Sequence, residues 1–124
     1  MTIDLEPGRS ATATMTVTEA DTAIALRSGD VPVLGSPRVV ALAEEAAVAV
    51  VAGSLPEDRT SVGVSVTLDH NAPSRVGETV TAEATVELVD GRKLQFAISV
   101  RNAAGVEVAS LRHRRVVVAR DSFL

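Results

Sequence analysis

The chain has 124 residues, 46% of them hydrophobic but only 2% aromatic, with no cysteine and a net charge of −4 at pH 7. That length suits a single domain over residues 1–124, with a core of Val, Ala, Leu and Ile and neither disulfides nor thiolate metal sites. The acidic balance and the scarcity of rings exclude nucleic acid as a partner, because phosphate binding needs excess Lys and Arg and single strands need aromatic platforms.

In chain order, the opening MTIDLEPGRS is acidic and carries no apolar run. No stretch approaches the roughly 20 apolar residues of a membrane helix, so no membrane partner and a cytoplasmic location are expected. Residues 9–17, RSATATMTV, alternate and predict a first strand. Thr18 or Asp21 can cap a short helix in the segment that follows. Pro32, Gly35 and Pro37 then punctuate the approach to a long helix from Ser36 to about Ala52. Ser36 suits the N-cap and Pro37 the first helical position, while Gly53 stands where a left-handed residue closes a helix. Such a helix is about 25 Å long.

The remaining chain reads as strands. SVGVSVTLDH places Val62, Val64, Val66 and Leu68 on one face, and ETVTAEATVELV does the same with Val80, Ala82, Ala84, Val86 and Leu88. Asp90-Gly91 signals a tight hairpin turn. RKLQFAISV returns with Leu94, Phe96, Ile98 and Val100 alternating, NAAG makes another turn, and VEVASLRHRRVVVA forms a long last strand. The fold class is therefore α+β. One strand, a long helix and four strands joined largely as a meander make a five-stranded antiparallel sheet wrapped around one long central helix.

Helical geometry groups Val39, Leu42, Ala43, Ala46, Ala47 and Val50 on one broad face, with Arg38 and Glu45 nearly opposite. Glu44 falls elsewhere, among Val40, Ala41, Val48 and Val51. A carboxylate there has either a raised pKa or a partner that holds it ionised; it is a marginal acid reaching water or a group placed for proton transfer or nucleophilic attack. His70 continues the parity of Val62 to Leu68 and ends its strand, as a hydrogen-bonded strand-end residue or as a catalyst. Ser36 is an N-cap, or part of a site that polarises a carbonyl at the positive end of the helix. Eight residues separate Ser36 from Glu44, about 12 Å along a helix, too far for both to grip one atom within one chain. In the basic run 112–115, Arg112 and Arg114 share one face and His113 and Arg115 the other. The run is a solvated edge or a cationic patch for phosphates. Spacing suggests no metal site: Asp69 and His70 are neighbours on a strand and face opposite ways.

Together LGSPRVVALAEEAA, SVGVSVTLDHNAPSRVGETV, VDGRKLQFAISV and HRRVVV resemble hotdog-fold acyl-CoA thioesterases, in particular the fluoroacetyl-CoA thioesterase-like family, over nearly the whole chain. The resemblance implies a hotdog fold and a catalytic set of Ser36, Glu44 and His70. It also implies that the lack of a side chain at Gly63 leaves room for substrate, that Arg115 contacts the CoA portion, and that Gly35 lies beside the substrate at the helix start. It implies a homodimer with sites at the interface, a CoA thioester as substrate, and no cofactor. Ser36 stands where the best-known form has threonine. Residues 18–38 carry no aromatic side chain to close over a small acyl group, so thioester hydrolysis is implied with the acyl group open. Under that implication the carbonyl lies at the helix start, Glu44 attacks it or activates water, and His70 moves protons. Two other readings stand beside it: a non-catalytic acyl-CoA-binding or structural dimer, and an enoyl-CoA hydratase or dehydratase suggested by the Ser28-Gly29-Asp30 run.

Overall fold

The structure, a computed structural model, describes residues 3–123. Strand β1 spans Ser10–Thr16, helix α1 Ala23–Leu26, helix α2 Ser36–Val51, and strands β2 to β5 span Arg59–His70, Thr79–Asp90, Lys93–Asn102 and Glu107–Ala119. All pairings are antiparallel, in the order β1-β3-β4-β5-β2. Strands β3, β4 and β5 form a meander, as the turn signals predict. Strand β2 does not join it at β3 but lies beyond β5, so β5 is interior and β2 is an edge. The basic run 112–115 is consequently no solvated edge.

The expected inner face of α2 is its buried face: Val39, Leu42, Ala43, Ala46, Ala47 and Val50 are all within the core. Alanines recur where the helix meets the sheet, with Ala82 and Ala84 on β3 fully buried opposite Ala13 and Ala11 on β1. Short side chains on both surfaces let helix and sheet approach closely. The helix lies mainly across β1 and β3 and barely touches β5. The wrapping is therefore one-sided, and Ala41, Glu45, Val48 and Ala49 stay exposed.

Register shifts interrupt β2 between Gly63 and Ser65, and β3 between Val86 and Leu88. An extra residue reverses the alternation downstream of a bulge and curls the strand. In β3 this turns Leu88 outward beside Gln95 and brings Val89 inward beside Leu94, correcting the expected face. In β2, Val64 is the unpaired residue and is 58% exposed. Ser61 pairs with buried Val117 and Gly63 with buried Arg115, whereas Val66, Leu68 and His70 pair with buried His113, Leu111 and Ala109. The expected face of Val62, Val64, Val66 and Leu68 is thus divided: Val62 faces outward with Val116. The β3–β4 loop is Gly91–Arg92, with Asp90 still paired to Lys93 and Gly91 at φ +58.

Among the described residues no helix is long and apolar enough to cross a membrane. Leu42→Ala should leave a cavity under the sheet and cost about 2–5 kcal/mol. The shift of the urea midpoint at constant slope checks it.

Candidate active site

The segment before α2 is held on both sides. Thr22 caps α1 by accepting from the Ala25 N–H at 3.2 Å, while Thr18 and Asp21 cap the short 3-10 turn Glu19–Asp21. The Gly35 N–H donates to the Asp21 carbonyl at 2.9 Å and the Leu34 N–H to the Ser74 carbonyl at 2.8 Å. Arg38 pairs with Asp21 at 3.3 Å. A side chain at Gly35 would be tightly confined: a Cβ there would lie 3.0 Å from Leu26 Cδ1 and 3.2 Å from the Ala23 Cα. The helix start is thereby fixed against the end of β2.

Gly35, not Ser36, is the N-cap, and Ser36 is the first helical residue with Pro37 after it. Freed from capping, the Ser36 hydroxyl meets His70 Nδ1 at 2.9 Å. Pro37 has no N–H, and that of Arg38 already donates to the Gly35 carbonyl. The N–H of Ser36 is therefore the donor left at the positive end of α2. Both residues line an open cleft of about 320 Å³ with Gly35, Leu34, Val31 and Asp30. Among the described residues His70 Nε2, which is buried, has no hydrogen-bond partner. Burial holds the His70 imidazole below its ordinary pKa, against the opposing effect of the Ala72 carbonyl.

Glu44 lies in a separate cluster. Arg115 Nη1 donates to Glu44 Oε2 at 3.3 Å, its Nε to Ser61 Oγ at 2.9 Å and its Nη2 to the Ser61 carbonyl at 3.1 Å. The partner that Glu44 meets is thus Arg115. Within the protomer the guanidinium of Arg115, the residue expected at the CoA portion, is buried and engaged by groups of its own chain. At Gly63 a Cβ would fall 2.5 Å from Glu44 Oε2, so the absent side chain leaves room for that carboxylate.

His113 is the residue that sequence reasoning missed. Only 1% of its side chain is exposed, and its Nδ1 donates to the Ser65 carbonyl at 2.9 Å. A carbonyl only accepts, so the proton sits on Nδ1 and Nε2 keeps its lone pair. Arg115 Nη1 lies 3.1 Å from that lone pair and donates to it. Burial chiefly, then the Arg115 charge, lowers the His113 pKa, with the Ser65 carbonyl and Glu44 opposing. The 3.7 Å approach of Nε2 to Glu44 is accordingly contact with a neutral ring and no ion pair. Alternation on the last strand placed His113 beside Arg115; the interior position of that strand was the missing information.

The structure therefore brings Ser36 to His70, and Glu44 to Arg115 and His113, without joining the two sets in one protomer. Among the described residues no cluster of three or more His, Cys, Asp and Glu is placed to hold a metal.

Comparison with known proteins gives a consistent picture. The family model for fluoroacetyl-CoA-specific thioesterase matches residues 17–121. The fluoroacetyl-CoA thioesterase of Streptantibioticus cattleyicolor is 32% identical over 85 residues, covering 68% of this chain and 60% of that protein's length. A crystal structure of a variant of the fluoroacetyl-CoA-specific thioesterase in complex with fluoroacetate and CoA superposes with a TM-score of 0.88 at 27% identity, over 97% of this chain and 100% of that one. A hot-dog-like protein from Thermanaerovibrio acidaminovorans gives 0.87 at 27% identity, over 96% and 87%.

Two outcomes test the geometry. Gly63→Ala should push the Glu44 carboxylate off Arg115 and cost about 1–3 kcal/mol, because the buried guanidinium loses that partner, read in urea unfolding. Both histidines have folded pKa values below the ordinary 6.5, so the unfolded chain takes up protons first as the pH falls. Stability should decline below about pH 6.5 and until the lowered values are passed. Thermal midpoints between about pH 7 and pH 5 should show this slope, and His113→Gln should flatten it.

Proposed function

The chain belongs to the fluoroacetyl-CoA-specific thioesterase family, whose fold is the hotdog, and from that premise we propose that it hydrolyses an acyl-CoA thioester. The observation that carries the reading is the 2.9 Å contact of Ser36 with His70 at the start of a buried helix, beside an open cleft. On this reading the thioester carbonyl lies against the Ser36 N–H and hydroxyl, which stabilise the oxyanion as it develops. Glu44 attacks the carbonyl to give an anhydride that water then opens, or it draws a proton from the attacking water. The C–S bond breaks, the departing CoA sulfur takes a proton through His70, and a free carboxylic acid and thiol remain. No cofactor takes part.

The set is completed by a second copy of the chain. Ser36 and Glu44 stand two helical turns apart, and the intervening flank of α2 is open. Strand β2 is an edge, and Val66 on its inner face is 38% exposed. A homodimer formed along β2 covers Val64, Val66 and Val48 and sets the Ser36–His70 pair of one protomer near the Glu44 of its partner. A cytoplasmic setting suits a CoA thioester substrate. The aromatic-free segment 18–38 leaves the cleft able to take acyl groups larger than acetyl.

The test is release of free thiol from a panel of acyl-CoAs, short-chain through aromatic, with wild type beside Glu44→Gln, His70→Ala and Asp30→Asn. Glu44→Gln should lower kcat by about 10²–10⁴, with the fold retained by circular dichroism; Asp30→Asn should keep most of the turnover. Binding of CoA thioesters without any thiol release would identify an acyl-CoA-binding protein instead. Loss of activity in Asp30→Asn, with water added across an enoyl-CoA, would identify a hydratase.

A further inference from the structure

We propose that His113 is the positioning residue of this site, holding the Arg115 guanidinium in the orientation that fixes the Glu44 carboxylate. The inference rests on the reading that Glu44 acts on the thioester, and it extends that reading to a group that never meets substrate.

The argument follows from what each nitrogen can do. Two contacts to Ser61 anchor one side of the guanidinium to β2, at 2.9 Å from Nε and 3.1 Å from Nη2. They leave Nη1 as the nitrogen that faces Glu44. Its two N–H groups are divided between Glu44 Oε2 at 3.3 Å and His113 Nε2 at 3.1 Å. The second of these acceptors exists only while His113 Nε2 bears a lone pair. The Ser65 carbonyl secures that condition by taking the Nδ1 proton. A protonated ring would set an N–H against a guanidinium N–H, and burial chiefly, with the adjacent Arg115 charge, disfavours it against the pull of Glu44. The ring itself cannot turn away, because it packs tilted against Phe96 with centroids 6.1 Å apart and is closed off from solvent. Glu44, by contrast, is 39% exposed and has no other hydrogen-bond donor among the described residues. Its carboxylate points where Arg115 points, and Arg115 points where Ser61 and His113 direct it. Gly63 supplies the space in which this happens.

The chemistry of His113 therefore separates into a donor towards Ser65 and an acceptor towards Arg115, which two amides can replace one at a time. In His113→Gln the amide oxygen can occupy the place of Nε2 and accept from Arg115. In His113→Asn the shorter amide can keep the Ser65 contact but offers Arg115 nothing. We expect His113→Asn and His113→Phe to lower kcat on the order of tenfold or more, with KM changing less. His113→Gln should recover most of that loss although it is no closer to the native ring in shape. Thiol release from the best acyl-CoA of the panel is the assay, with thermal unfolding run on each protein. Should His113→Phe fail to fold, the comparison of Gln with Asn still decides. Equal kcat in those two variants, high or low, overturns the proposal, as does a loss expressed in KM alone. Glu44→Gln assayed alongside keeps the two levels apart: wild-type turnover there sinks the reading of Glu44, whereas an inactive Glu44→Gln beside a fully active His113→Phe sinks only the role of His113.

Discussion

A guanidinium buried in the middle of a sheet dictates much of what surrounds it. Removing Arg115 from water is unfavourable unless nearly every N–H finds an acceptor and the charge finds a counter-charge. The chain meets this from three elements. Ser61 on β2 accepts twice, His113 on β5 accepts once, and Glu44 reaches over from α2 with the opposite charge. Helix α2 packs off-centre, across β1 and β3, which leaves its Glu44 flank turned towards β5 and β2 with space to reach them. The alanines that permit close helix–sheet contact on one side and the glycine that admits a carboxylate on the other belong to the same arrangement.

The two halves of the site differ in electrostatic character. At the start of α2, Ser36 and a neutral His70 offer uncharged hydrogen-bonding groups, suited to an oxygen whose charge appears only in the transition state. Around Glu44 full charges are paired, and the buried Arg115 guanidinium sets where the carboxylate points. That division explains why the histidines of the two clusters play unlike parts: among the described residues His70 has a ring nitrogen without a partner, whereas both nitrogens of His113 are occupied.

Much of this was legible in the sequence. The inner face of α2 was readable because helical period is a local property, and six apolar residues from Val39 to Val50 repeat it cleanly. The separation of Ser36 from Glu44 followed from the rise per residue alone. What escaped was non-local. Nothing in the last strand says that β2 will lie beside it, so Arg115 and His113 read as surface residues until the strand order is known. Bulges escaped as well. An apolar residue such as Val64 or Leu88 matches the alternating pattern equally well whether it is in register or displaced, and Ser36 suits a cap so well that its one-residue shift into the helix leaves no trace in the sequence.

The displaced Val64 has a consequence of its own. Counting along β2, Gly63 is odd and His70 is even, so an unbroken strand would turn one of them to the core and the other to solvent. The single extra residue lets both face inward, one towards the carboxylate cluster and the other towards the helix start. What β2 encodes is therefore a spacing as much as a set of side chains. Position 64 can vary in identity, but its presence sets the phase by which two distant parts of one strand look into the same space.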